Sequence, residues 1–329
     1  MKYRTLGKTG FSVSEISLGA WQIGGKWGES FDDAIADKTI NAAIDAGVTF
    51  IDTADVYDGG KSERAVARVV KSRSEDVRVA TKVGRKFNPH VSESYTPEGV
   101  TAFVDANLKN MAVEKLDLVQ LHCPPTQVYY RPEIFEALDR LKTAGKILHY
   151  GVSVEKVEEA LKASEYPGVA SVQIIFNIFR QRPADLLFEI LKQRNVGVIV
   201  RVPLASGLLS GKFTRTSTFG AKDHRTFNRH GEAFDQGETF GGVDYTTGLD
   251  AVDELKSRFA EADATLAQLA LRWILMFDAV GCVIPGASRA EQALDNVRAS
   301  DLPALTGNQM AAARAVYDKR IKPLVHQRW

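Results

Sequence analysis

Eight short β-branched or aliphatic runs, each followed by a segment of helical period, divide this chain at a regular beat that few folds can accommodate. The strand-like runs fall near residues 16–18, 49–52, 78–82, 117–121, 147–151, 171–175, 197–201 and 281–284. The helical patterns fall near 33–46, 62–71, 97–111, 132–144, 155–163, 184–194, 265–275 and 289–297. Thr96-Pro97-Glu98 is a typical helix opening: a capping hydroxyl, a proline at the first helical position and an early acid. Gly47, Gly145 and Gly197 stand just before strands, where a left-handed residue lets a helix stop and the chain turn back. The alternation predicts an α/β fold, a (β/α)8 TIM barrel, with residues 1–329 forming one domain.

Two features depart from the beat. Tyr3-Arg4-Thr5-Leu6, a Gly7-Lys8-Thr9-Gly10 turn and Phe11-Ser12-Val13-Ser14 read as an N-terminal β-hairpin that closes the bottom of the barrel. Between the seventh and eighth strands about seventy residues intervene where one helix is expected. Within them Phe213 to Thr247 is polar and glycine-bearing. A loop of that length is a functional lid or a mobile excursion, and Phe219, Phe227, Phe234, Phe240 and Tyr245 favour a lid that buries something. A last helical stretch, near 306–319, has no strand after it and is expected to pack across one end of the barrel.

Polar residues end three successive strands. Asp52 closes Val48-Thr49-Phe50-Ile51, Lys82 closes Val77-Arg78-Val79-Ala80-Thr81, and His122 closes Leu118-Val119-Gln120-Leu121. In a parallel barrel such positions form the active mouth. Tyr57 follows Asp52 by one short loop, so its hydroxyl reaches the same mouth. A phenol is a poor acid at neutral pH. A lysine ammonium in hydrogen-bond reach favours the phenolate and lowers its pKa, while a carboxylate behind the lysine keeps the lysine charged. His122 can hold a carbonyl oxygen beside that hydroxyl. Taken singly, an Asp–Lys pair is an ordinary structural ion pair and a strand-end histidine an ordinary satisfied polar residue. Their joint placement points to proton transfer at a polarised carbonyl.

Composition removes other classes. The formal charge of +1, from 42 basic and 41 acidic side chains, leaves no field to hold nucleic acid or an anionic membrane. The longest apolar stretches, such as Val196 to Val200, are too short to span a bilayer, and Met1 to Leu6 holds no signal-like segment. Cys123 and Cys282 are the two cysteines, which argues for a reducing, cytoplasmic setting. The six histidines lack metal-ligand spacing, so no metal is expected.

The stretch Asn41 to Glu63, with Ala46-Gly47-Val48-Thr49-Phe50-Ile51-Asp52-Thr53-Ala54-Asp55-Val56-Tyr57, resembles the aldo-keto reductase signature. Thr81-Lys82-Val83-Gly84 and Val119-Gln120-Leu121-His122 resemble its second and third blocks, and the likeness runs from Gly7 to Asn296. The resemblance implies an oxidoreductase that reduces a small-molecule aldehyde or ketone with NADPH, running reversibly to NADP+, with NADH left open. It implies Tyr57 as general acid, Asp52 and Lys82 tuning it, and His122 orienting the carbonyl. Gly19-Ala20-Trp21 resembles the segment lining the nicotinamide and the substrate pocket. Ser153 and Gln173 match the polar pair that holds the carboxamide, although Val154 replaces a frequent asparagine. Pro203-Leu204-Ala205-Ser206-Gly207-Leu208 resembles the segment over the pyrophosphate. Arg201 stands where many relatives stack an aromatic ring on the nicotinamide, so its guanidinium is expected to stack there or to turn to a buried carboxylate. Gly286, Ala287, Ser288, Arg289, Gln292 and Asn296 resemble the adenosine end, where a helix start and Arg289 suit a 2'-phosphate. Trp21, Tyr57, Tyr129, Tyr130 and the insertion are expected in the pocket walls. A homo-oligomer is left open by the resemblance. Two other readings stand beside it: a nicotinamide-binding redox-sensing module with slow turnover, and a Schiff-base barrel using Lys82.

Overall fold

The first residues pair as their pattern predicts: Tyr3–Thr5 (β1) runs antiparallel to Ser12–Ser14 (β2) around a tight turn that Gly10 closes at φ 67°. The computed structural model describes residues 1–25, 28–260 and 262–329. Eight parallel strands follow in chain order: Leu18–Gly19 (β3), Phe50–Asp52 (β4), Arg78–Val83 (β5), Leu116–His122 (β6), Ile147–Ser153 (β7), Val169–Ile175 (β8), Gly197–Arg201 (β9) and Val280–Val283 (β10). Parallel bridges from Ile16 to Val283 and from Gly19 to Gly286 join the first of these to the last and close the ring. Helices cover the outside, including Asp33–Asp45, Pro97–Met111 and Ala290–Val297. The Thr96 hydroxyl accepts the Gly99 N–H, and Asp32 accepts those of Ala34 and Ile35, so the capping residues stop unpaired donors at the helix starts.

The hairpin plugs the barrel floor. Leu6 and Val13 pack with Phe50, Ala80, Leu118, Ile199, Cys282 and Ile284, all buried, as a small core separate from the larger one between strands and helices. Close packing there explains Gly197: a Cβ on it would stand 2.7 Å from Leu6 Cδ1 and 2.9 Å from the Leu6 carbonyl carbon. Gly47 and Gly145 take the expected left-handed conformation, at φ 91° and 76°. The residue that turns the chain before β9 is Asn195, at φ 51°, and Gly197 is selected by contact instead of conformation.

The insertion between β9 and β10 is largely structured. It holds the short helix His224–Phe227, the turns Gln236–Glu238 and Phe240–Gly242, and then a full helix, Tyr245–Arg258, before the expected one at Leu266–Leu275. Phe219 meets Phe213, Phe240 and Tyr245 edge-on or tilted at 5.2, 5.8 and 5.9 Å, and the Arg225 guanidinium lies 4.4 Å over its ring. Most of these aromatics therefore hold the insertion together and do not wall a pocket. Phe227 is exposed, whereas Phe234 reaches Trp21 at 6.1 Å. The last helical segments, from Gly307, lean on Tyr245–Arg258 through Arg320 and Glu254 at 2.7 Å. No helix among the described residues is long and apolar enough to cross a membrane.

Candidate active site

Period-two alternation turns each strand's floor residue into a mouth residue two positions later. Phe50, Ala80, Leu118 and Ile199 fill the floor, and Asp52, Lys82, Gln120 and Arg201 stand above them on the same strands. His122 lies two beyond Gln120. The apolar layer below excludes water, so the polar layer is both buried and held in register.

Lys82 is the hub. Its Nζ donates to Asp52 Oδ1 through a very short bond, to the Thr53 carbonyl at 2.8 Å and to the Tyr57 hydroxyl at 3.1 Å. The other Asp52 oxygen accepts from Gln120 Nε2 at 3.0 Å and Gln173 Nε2 at 2.8 Å. Burial alone lowers a lysine pKa, but the Asp52 carboxylate and the Tyr57 hydroxyl more than offset it and raise Lys82 above its ordinary value. An ammonium so held has no lone pair to offer a carbonyl carbon, which speaks against the Schiff-base reading. Tyr57 corrects the sequence expectation. Burial outweighs the lowering effect of Lys82, Asp52 adds to it, and the phenol sits above its ordinary range. Tyr57 thus keeps its proton at neutral pH. Its ring stacks on Trp21 at 6.0 Å and 25° and meets His122 edge-on at 5.9 Å. Burial, then Arg85, Lys82 and Arg201, push the His122 pKa well down, so the ring is neutral and carries one N–H. Its Nδ1 is buried without a hydrogen-bond partner.

The residues expected along the cofactor lie on one rim, over the ends of β3 and β7 to β10. The closing bridge sets Gly19 against Gly286, and Ala20 N–H donates to the Asp52 carbonyl at 2.8 Å. Ser153 Oγ donates to Gln173 Oε1 at 3.3 Å, while the Gln173 amide nitrogen is committed to Asp52 and Gln120. Gln173 is therefore tied into the catalytic network as well as standing beside Ser153. After Pro203 and Leu204 the backbone is left-handed at Ala205, Ser206 and Gly207, φ 46°, 54° and 97°, and continues to Leu208. The Ala205 N–H donates to the Val202 carbonyl at 3.1 Å and the Gly207 N–H to the Leu204 carbonyl at 2.9 Å, which fixes this tight turn. Ser206 Oγ donates to the Glu238 carbonyl at 3.0 Å. At the far end Ser288 N–H and Oγ both donate to Gln292 Oε1, Asn296 Nδ2 donates to the Gly286 carbonyl at 3.3 Å, and Ala287 is buried. Arg289 is about half exposed at the helix start, with Glu291 at 3.7 Å. A Cβ built on Gly286 meets nothing within 4 Å, so this end is open.

Arg201 turns to carboxylates. Its Nη2 donates to Glu155 Oε2 at 2.9 Å and to the Val154 carbonyl at 3.0 Å, and its Nη1 lies 3.7 Å from Glu238. Arg85 pairs with Glu238 through a very short bond, and its Nη2 lies 3.5 Å from Glu155. Gln120, Arg85, Glu155 and Glu238 were not expected at the site. Gln120 was within reach of the pattern, sitting two residues before His122 on the inward face. Tyr129 and Tyr130 leave the pocket walls: Tyr129 is buried behind Ser153, donating to its carbonyl at 3.3 Å, and Tyr130 is exposed. Cys123 is buried beside Arg201, and burial raises its thiol pKa to about 12, so it is inert.

A family model described as the aldo/keto reductase family matches residues 15–318. The chain is 27% identical over 325 residues to the uncharacterized oxidoreductase YqkF of Bacillus subtilis, covering 96% of each. It is 29% identical over 334 residues to the NADH-specific methylglyoxal reductase of Escherichia coli, covering 95% of this chain and 99% of that one. The solved structure of the glycerol dehydrogenase AKR11B4 from Gluconobacter oxydans superposes with a TM-score of 0.79 at 26% identity, covering 97% and 96%.

Proposed function

Because the chain belongs to the aldo/keto reductase family of oxidoreductases acting on carbonyl and alcohol substrates, we propose that it reduces an aldehyde or ketone reversibly at Tyr57 and prefers NADPH. The observation that carries this reading is the Asp52–Lys82–Tyr57 chain, with the Lys82 ammonium 3.1 Å from the tyrosine hydroxyl and a neutral His122 beside it. A reduced nicotinamide, when bound, supplies the hydride. Every other part belongs to the chain. His122 lends its N–H to the carbonyl oxygen. Tyr57, holding its proton at neutral pH, gives that proton to the same oxygen as charge builds there. The Lys82 ammonium then offsets the phenolate charge in a site where burial makes the attraction strong. Asp52 keeps Lys82 charged and aimed.

Ser153, Gly19, Ala20 and Trp21 are proposed to border the ring, the Pro203–Leu208 segment the pyrophosphate, and Ser288, Arg289, Gln292 and Asn296 the adenosine. The fit rests on the buried His122 Nδ1, which has no partner at the mouth, and on the open helix start beside Gly286 at the far end of the same rim. The exposed Arg289 at a helix start supports a 2'-phosphate contact, hence NADPH. Two buried, unbridged cysteines are in keeping with a cytoplasmic setting. The test is to follow oxidation of NADPH and of NADH with activated aldehydes and to measure both dissociation constants by fluorescence. Turnover with tighter NADPH binding is expected. Equal constants for the two cofactors would remove the phosphate contact, and tight binding without turnover of any aldehyde would favour the redox-sensing module.

A further inference from the structure

Two guanidiniums at the mouth have no role in that chemistry. Arg85 follows β5 and Arg201 ends β9; both are largely buried, and Arg201 Nη2 stands 3.6 Å from the sulfur of Cys123, the neighbour of His122. Four charged groups share this spot, and three belong to the barrel: Arg85, Arg201 and Glu155. The fourth, Glu238, comes from the insertion. Its Oε1 takes Arg85 and its Oε2 faces Arg201, so one carboxylate spans both cations. Burial pushes the Glu155 carboxyl up to about 7, so Glu155 supplies only part of the needed negative charge at neutral pH. With Glu238 withdrawn, Glu155 loses a like charge that helps raise it, and the barrel mouth would still set two buried cations against a single carboxylate. Arg201 Nε already lacks a partner. A site of that charge, beside the histidine that holds the carbonyl, calls for an anion.

The insertion places its own anion there. Glu238 lies in the turn Gln236–Glu238, which is held to the barrel by the Ser206 hydroxyl on the Glu238 carbonyl and by Phe234, whose ring sits under the Arg85 guanidinium at 5.8 Å and against Trp21. Trp21 in turn stacks on Tyr57. The carboxylate and the aromatic contact thus enter the site from one short segment, which Trp329 Nε1 on Asp235 at 2.8 Å and Arg328 on Gln236 at 2.6 Å also tether.

Resting on the reductase reading, we propose that Arg85 and Arg201 form an anion subsite which Glu238 fills in the absence of ligand, and that the preferred substrates are aldehydes or ketones bearing a carboxylate that takes its place. A planar carboxylate suits the spot because the group now seated there is one, with an oxygen for each guanidinium. Its displacement frees the insertion to settle around the substrate.

The experiment compares matched pairs of aldehydes of increasing length, each as free acid and as methyl ester: glyoxylate, succinic semialdehyde and 4-carboxybenzaldehyde. The readout is the acid-to-ester ratio of kcat/KM, which cancels effects common to both. One charge-assisted hydrogen bond is worth at least about tenfold, so the ratio should exceed about ten for at least one pair in the native protein. Glu238→Gln, which removes the competing charge, should raise that ratio further by about threefold or more, and Arg85→Gln should bring it near one. Ratios near one for every pair in the native protein overturn the proposal without touching the reductase reading, since the esters are still turned over. Turnover of neither acid nor ester with either cofactor refutes the reductase reading itself. Should Glu238→Gln tighten NADPH binding, measured by fluorescence, while leaving the ratio unaltered, the displaced group is a cofactor phosphate and the substrate proposal falls.

Discussion

Replacing Asp52 with asparagine isolates what the carboxylate contributes. Asparagine keeps the shape and an acceptor oxygen for Lys82, removes the charge that holds a fully buried ammonium, and sets its amide nitrogen against the Gln120 and Gln173 amides, which turn over to accept from it. Two outcomes are open to Lys82: stay charged without a counterion, or lose its proton. The second bounds the cost, since deprotonating a lysine of reference pKa about 10.4 at pH 7 costs between 4 and 5 kcal/mol, at about 1.36 kcal/mol per unit. That agrees with the roughly 3–5 kcal/mol seen when one partner of a buried ion pair is removed. For a chain of 329 residues it corresponds to a fall of about 7 °C in Tm. The sign with pH follows: a neutral Lys82 is penalised less as pH approaches the lysine's ordinary value, so the deficit should shrink to about 2 kcal/mol at pH near 9. Urea unfolding of native and Asp52→Asn protein at both pH values reads this directly. Adding Lys82→Met to Asp52→Asn should recover much of the loss, because the orphaned charge is gone. A variant as stable as the native protein at pH 7, or a deficit that does not shrink with pH, would show that the ion pair does not hold Lys82 charged.

Three further outcomes are expected. Glu155 has a raised folded-state pKa, so its protonated form is the one folding favours, and stability is fully present below the ordinary carboxylate range and lost as pH rises through about 7. Stability should fall by about 1 kcal/mol between pH near 6 and near 8, and Glu155→Gln should flatten that limb; an unchanged limb would place Glu155 outside the cluster's balance. Leu6→Ala empties the barrel floor and should cost about 2–5 kcal/mol in urea unfolding while KM is kept, because Leu6 is fully buried and lies a whole residue layer from the mouth. A large change in KM would mean the floor also positions the polar layer. Gly197→Ala should destabilise by about 1–3 kcal/mol through overpacking against Leu6, whereas a neutral result would show the hairpin can shift.

The barrel was legible because its signal is local and repeated: each strand run carries an inward set at period two, and each helix a start or stop chemistry. Asp52, Lys82 and His122 were legible for the same reason, as polar residues where an apolar run ends. Gln120 followed from the same register and went unread because it lies inside the run, where one glutamine looks like an interruption. The Tyr57 pKa could not be signed from sequence, since it is a balance between Lys82 and burial, and burial is a property of the assembled mouth. Glu238 was illegible in principle: its partner Arg85 is 153 positions away, and no local pattern marks which acid of a polar insertion turns inward. Helix Tyr245–Arg258 has a local signal, Asp244 accepting the Thr247 N–H at its start, but the beat of one helix per strand leaves no place for a second helix before β10.

Tyr57 as the proton donor is tested most directly by Tyr57→Phe, with turnover of an activated aldehyde and NADPH binding measured on the same preparation. Loss of the hydroxyl should lower kcat by at least about a hundredfold while the dissociation constant for NADPH moves little, since the ring stays stacked on Trp21. A variant that still turns over within about threefold of the native rate would contradict the account, because the proton would then come from elsewhere and the Asp52–Lys82–Tyr57 chain would be a structural ion pair with a tyrosine beside it.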